Sequence, residues 1–95
     1  MPKDQTATIL EEVRGQCIWR DQHYGDALDD KRVNDEFRRA AVALLKSHPE
    51  NNRCDVPPEW PFNNAAWDGT ATRRQNLIKA ISFCVAEIAR LDRQA

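Results

Sequence analysis

The stretch Thr72-Arg-Arg-Gln-Asn-Leu-Ile-Lys-Ala-Ile-Ser-Phe-Cys-Val-Ala-Glu-Ile-Ala-Arg-Leu-Asp-Arg93 decides the fold. Its apolar residues Leu77, Ile81, Cys84, Ile88 and Leu91 recur at alternating steps of four and three, with Ile78, Val85 and Ala89 widening the stripe, which is the spacing of one helical face. Lys79, Ser82, Glu87, Arg90 and Arg93 occupy the other face and suit water. Thr72 and Gln75 form a capping-box pattern, and Arg90 and Arg93 place positive charge at the negative end of the helix dipole. Such a helix is roughly 30 Å long, the width of a small domain. The rest of the chain is therefore expected to cover the stripe, with Ile81 and Ile88 at the centre of the core and a cost of roughly 2–4 kcal/mol for truncating either to Ala.

Immediately before this helix, residues 49–71 hold four of the five prolines and two of the three tryptophans. A connection of that length without regular structure is uncommon in a compact domain and is usually functional or disordered. The tryptophans argue for order. Val56, Trp60, Phe62 and Trp67 suit a lid folded over the open end of the helices, stiffened by Pro57, Pro58 and Pro61. Further out, Val33, Phe37, Ala41 and Leu44 predict a second helix over 31–47, with Ala40 and Leu45 alongside, basic residues Lys46 and His48 at its end and Pro49 as its stop. The acidic run from Asp26 to Asp30 reads as its N-terminal cap. A first helix opens near Thr6 or Thr8, the latter in a capping-box pattern with Glu11, and buries Leu10, Val13 and Cys17 with Ile9 beside them; Trp19 points away. Gly15 implies either a close-packed neighbour or a weak helix, and Gly25 suits the left-handed position after it. The reading is one all-α domain over residues 1–95, with three main helices and a long aromatic- and Pro-rich loop between the second and third.

The totals narrow the function. Fourteen Lys and Arg against 15 Asp and Glu leave a net charge of −1, which gives no electrostatic footprint for non-specific nucleic-acid binding. No apolar run is long enough to span a bilayer and Met1-Pro2-Lys3-Asp4 does not resemble a signal peptide, so a cytoplasmic location is expected. Three cysteines without a C-x-x-C pair argue against a disulfide framework and a structural zinc site; Cys17 and Cys84 read as small core residues. With His23 and His48 isolated, folding is expected to be independent of metal. A chain of this size gains from pairing, so self-association through the helical faces is an expectation.

Glu12, Arg14 and Gln16, the Asp29-Asp30 pair, Glu36 before Arg39-Ala40-Ala41, Trp60-Pro61-Phe62, Trp67, Arg74, Asn76-Leu77-Ile78-Lys79-Ala80 and Ala86-Glu87-Ile88-Ala89-Arg90-Leu91-Asp92-Arg93 together resemble a set of small uncharacterised phage and prophage proteins. The resemblance is densest in the last 20 residues and in the Trp-Pro-aromatic turn; where that family often has Trp-Lys-Pro, this chain has Trp67-Asp68-Gly69. It implies a phage or mobile-element origin, which favours a counter-defence or takeover role.

An enzyme of the MazG-like nucleotide pyrophosphohydrolase type needs about four carboxylates around magnesium, delivered as E-x-x-E and E-x-x-D pairs on one helical face. Neither pair occurs, and the nearest substitute is Asp26, Asp29, Asp30 and Glu36. No nucleophile motif and no glycine-rich phosphate loop is present, so neither catalytic residues nor a cofactor are assigned. The remaining constellation is Trp60, Phe62 and Trp67 followed by Arg73 and Arg74 at a helix N-terminus, where aromatic faces, free amides and guanidinium groups suit a carboxylate, a phosphate or a protein hot spot. Ten of the 14 basic residues are Arg, in keeping with specific ion pairs. The expectation is a protein that binds a host protein, for instance an antiviral-defence component, and inhibits it; a nucleotide-binding or nucleotide-hydrolysing protein and a DNA-binding regulator are the alternatives.

Overall fold

A computed structural model describes residues 3–23, 25, 30–31, 34–47 and 55–95. Among the described residues the architecture is all-α: α1 (Lys3–His23), α2 (Glu36–Lys46), a single 3-10 turn (Asn64–Ala66) and α3 (Arg73–Gln94), with no strand. No helix is long and apolar enough to cross a membrane.

The third helix forms where the sequence places it. Thr72 Oγ1 accepts from the Gln75 amide at 3.1 Å and Gln75 Oε1 accepts from the Thr72 amide at 2.7 Å, so the capping box closes in both directions. The other two helices differ from expectation at their starts. Thr8 lies inside α1 and its hydroxyl donates back to the Asp4 carbonyl at 2.8 Å, so it caps nothing. α2 begins at Glu36 rather than at Lys31, because Asp35 takes a left-handed conformation, φ +65°, which a helix cannot run through. Gly25 does adopt the left-handed geometry expected of it, φ +76°. Gly15 has open space where a side chain would stand, which leaves α1 the weak helix rather than a close-packed one.

The packing corrects the central expectation. α2 runs antiparallel to α3, since Ser47 meets Asn76 at one end and Phe37 meets Phe83 further along, and α1 runs beside α3 in the same direction, from Glu12 with Arg74 to Arg20 over Phe83. Both rest on the side of α3 that bears Asn76, Ala80, Ser82, Phe83, Ala86 and Arg90, and it is Asn76, Ala80, Ser82, Ala86 and Arg90 that are buried. The apolar stripe faces out: Leu77 is 42% exposed, Ile81 43%, Val85 42%, Ile88 59% and Leu91 51%. Cys84 is exposed with them, and Leu10 of α1 and Leu45 of α2 lie outside as well.

Small side chains explain the choice. Ala80 and Ala86 on α3 and Ala40, Ala41 and Ala43 on α2 let the helix backbones approach closely, and Leu44 and Phe37 fill the seam. Two of the polar residues of the inward face are satisfied locally: Ser82 donates to the Lys79 carbonyl at 2.7 Å, and Arg90 donates to Glu87 at 2.5 Å, an ion pair that raises the Arg90 pKa. The molecule measures 41 × 36 × 20 Å, and the short dimension is two helix layers deep. Among the described residues no third layer covers the outer face of α3.

Candidate functional site

The long loop is built to bring aromatic rings onto α3. The Trp60 amide donates to the Pro57 carbonyl at 3.1 Å and its indole donates to the Asn63 carbonyl at 3.2 Å, which folds the Trp-Pro-Phe turn back on itself. Asn63 caps the 3-10 turn by accepting from the Ala65 amide at 2.9 Å. Asp68 then accepts from the Thr70 amide at 3.0 Å and the Thr70 hydroxyl at 2.7 Å, delivering the chain to the start of α3. At its other end the loop is tied to α2 by Lys46 and Glu59, 2.8 Å apart. These hydrogen bonds hold the carboxyls of Asp68 and Glu59 below their usual values, Asp68 chiefly through the Thr70 hydroxyl and Glu59 chiefly through Lys46.

Trp60 is the hub of the resulting cluster. Its ring lies 5.3 Å edge-on from Phe62, 5.0 Å from Trp67 and 6.2 Å from Phe83, while Phe62 stacks on Phe83 at 5.8 Å and Phe83 meets Phe37 at 5.9 Å. The aromatics of the loop thus fold back onto the helices as anticipated, but against Phe83 at the middle of α3 rather than over the open end of the helices. Between the loop and the helices lies a cleft of about 680 Å³. Trp60, Phe62, Trp67, Phe83 and Trp19 supply aromatic wall; Arg20, Lys79, Asp68 and Asn76 supply the polar groups.

Three of these polar groups shape what the cleft can hold. The Arg20 side chain is buried, with its guanidinium 4.8 Å from the centre of the Phe37 ring and 5.2 Å from that of Phe83, a sandwich that keeps a fixed positive charge in the wall. Lys79 stands 4.0 Å from Asp68, a long and solvent-screened pair. Asn76 is only 2% exposed; its amide nitrogen donates to Ser47 at 2.8 Å, and Ser47 in turn donates to the Leu44 carbonyl at 2.7 Å. The Asn76 carbonyl oxygen has no hydrogen-bond partner among the described residues. A buried acceptor left unmade costs on the order of 1–3 kcal/mol.

The arginines anticipated beside the aromatics do not join them. Arg74 spends its fork on Glu12, with both nitrogen–oxygen pairs at 2.6 and 2.7 Å, and so pins α1 to α3. Arg73 is exposed and outside the cleft wall. Of the acidic residues considered for metal, Asp30 receives Arg93 at 2.8 Å and Glu36 accepts the Asn34 amide, while Asp26 and Asp29 lie outside the described residues. Among the described residues no group of three or more His, Cys, Asp or Glu side chains is placed to hold a metal ion.

Arg20, Asn76 and Phe83 are the site residues that the sequence reading missed. A signal for them existed: Gln16, Trp19, Arg20 and His23 fall at helical spacing along one side of α1, as do Asn76, Lys79, Phe83 and Arg90 on α3. These stripes are polar and aromatic, so a search for apolar periodicity passes over them. No family model, curated protein or solved structure matches the chain.

Proposed function

We propose that the protein acts by binding: a small phage or mobile-element accessory protein whose aromatic cleft seizes an exposed segment of a host protein and inhibits it, a component of an antiviral system being the class of target its origin favours. The origin rests on the sequence resemblance. The binding role rests on one observation above the others, a cleft walled by Trp60, Trp67 and Phe83 and bordered by Asn76, whose carbonyl oxygen has no hydrogen-bond partner among the described residues. A cleft of this size and aromatic character is typical of a binding site that fixes one planar group with a few polar contacts. A partner's Trp or Arg side chain carries both a flat face for the aromatic walls and an N–H for Asn76.

Catalysis is a poorer fit to the same wall. Ser82, the one hydroxyl in it among the described residues, donates into its own helix, and Asp68 is occupied by Thr70. A nucleotide is the second reading, favoured by Asn76 as acceptor for an exocyclic amino group and by Arg20 and Lys79 as the nearest cations.

Capture of a partner from a bacterial lysate, repeated with Asn76→Leu and Trp67→Ala, tests the proposal. Both variants should lose the partner by roughly 30-fold or more, the scale of a hot-spot contact, with Asn76→Leu retaining its melting temperature. Arg73→Ala should capture it normally. Retention of the partner by both cleft variants would end the reading. Saturable quenching of tryptophan fluorescence by a nucleoside triphosphate would instead favour the nucleotide.

A further inference from the structure

We infer that the outer face of α3 is the contact between two copies of this chain, paired antiparallel about Cys84. Leu77, Ile81, Cys84, Ile88 and Leu91 repeat at 3.5 residues, the period of a helix that lies along another helix, and Val85 broadens one edge. Among the described residues nothing covers this seam, although it is the most apolar surface of the longest helix. Lys79, Glu87 and Arg90 lie off this seam, Lys79 beside Asp68 of the loop and Glu87 paired with Arg90. A solvated surface helix carries charge on its outer face; this one carries charge on its inner face.

The arrangement of charge at the ends selects the occupant. The seam begins beside exposed Arg73, whose neighbour Arg74 is held by Glu12, and finishes beside exposed Asp92, whose neighbour Arg93 is held by Asp30. Two copies placed antiparallel set Arg73 of each toward Asp92 of the other and oppose their helix dipoles, whereas a parallel pair sets like against like. A second copy thus satisfies the face without any further partner. Leu77 and Leu91 are equidistant from Cys84, so the two-fold axis passes near that residue and each half of the seam meets the opposite half. Six side chains of this kind, each about half exposed, remove on the order of 1,000 Å² from water when two copies join, which reaches the lower bound of a specific interface. The aromatic cleft opens between α3 and the long loop on the other side of the helix and stays accessible in the pair.

Light scattering coupled to size exclusion reads the outcome directly, from micromolar to several hundred micromolar protein. The chain has a mass of 10.9 kDa, and the pairing predicts twice that mass at the higher concentrations. Ile88→Lys should weaken the association at least about 100-fold with an unchanged helical circular-dichroism signal, and Asp92→Arg should weaken it several-fold, more at low salt than at high. Ile81→Ser provides a milder second break if the lysine variant loses helix. Wild-type protein that keeps the monomer mass at several hundred micromolar, or an Ile88→Lys variant that remains paired, would overturn the inference; capture of a different protein on this face by a monomeric chain would do the same.

Discussion

The two faces of α3 have exchanged the roles usually given to them. The face with Leu77, Ile81, Val85, Ile88 and Leu91 looks like core and stands outside, while the face with Asn76, Ala80, Ser82, Ala86 and Arg90 looks like surface and is buried. Hydrophobic periodicity establishes that a stripe seeks apolar contact, but it is silent on whether the contact lies within the chain. Packing inside the chain is decided here by size. Alanines on α2 and α3 permit a close approach that a row of branched side chains would block, and ion pairs and back-bonded hydroxyls remove the penalty for burying the polar groups among them.

The largest expected effect tests the inward side. Phe37 is 1% exposed and packs on Phe83, so Phe37→Ala should cost about 3–5 kcal/mol in denaturant unfolding. A cost below about 1 kcal/mol would mean that the core lies elsewhere. Next in size is a change that adds volume. Ala80→Leu should cost about 1–3 kcal/mol by forcing α2 away from α3, whereas the same substitution on an outward face would cost almost nothing.

The outward side makes the opposite prediction. In protein dilute enough to be monomeric, Ile81→Ala and Ile88→Ala should each change stability by no more than about 0.5 kcal/mol, because both side chains are already about half exposed and Ala favours helix. A loss of about 2–4 kcal/mol would restore the stripe to the core.

The smallest effect concerns how α1 is held against α3. The hydrogen bonds from Arg74 keep the Glu12 carboxyl below its ordinary value of 4.5. A carboxylate lowered in the folded state stabilises the fold above its unfolded-state pKa, and that contribution disappears as the pH falls through the lower folded value. Stability should therefore decline below about pH 4.5 with a component that Glu12→Gln removes. An acid limb unchanged by the substitution would show that the pair contributes nothing, the usual outcome for an exposed pair without such geometry.

Much of this was legible in the residues. The capping box of Thr72 and Gln75, the seam residues Phe37, Ala41 and Leu44, the left-handed Gly25 and the folded-back Trp60, Phe62 and Trp67 follow from local chemistry, and the structure has them. What the sequence concealed depends on the arrangement of whole helices. Which side of α3 turns inward is set by the alanines of α2, a helix 29 residues away across the Ser47–Asn76 bond. Arg74 read as a ligand-binding group because its partner Glu12 lies 62 residues earlier. Arg20 and Asn76 entered the cleft unnoticed because their stripes carry no apolar signal.

Cys84 and Cys17 offer the most direct measurement of which face of α3 is outside. Cys84 is exposed at the middle of the apolar stripe, whereas Cys17 is half-buried on α1 and burial raises its thiol pKa, which slows alkylation. Iodoacetamide labelling at neutral pH, resolved peptide by peptide in a mass spectrometer, should modify Cys84 well before Cys17 in dilute native protein, and raising the concentration should protect Cys84 while leaving Cys17 unchanged. A Cys84 that labels no faster than Cys17 at every concentration would contradict the outward stripe.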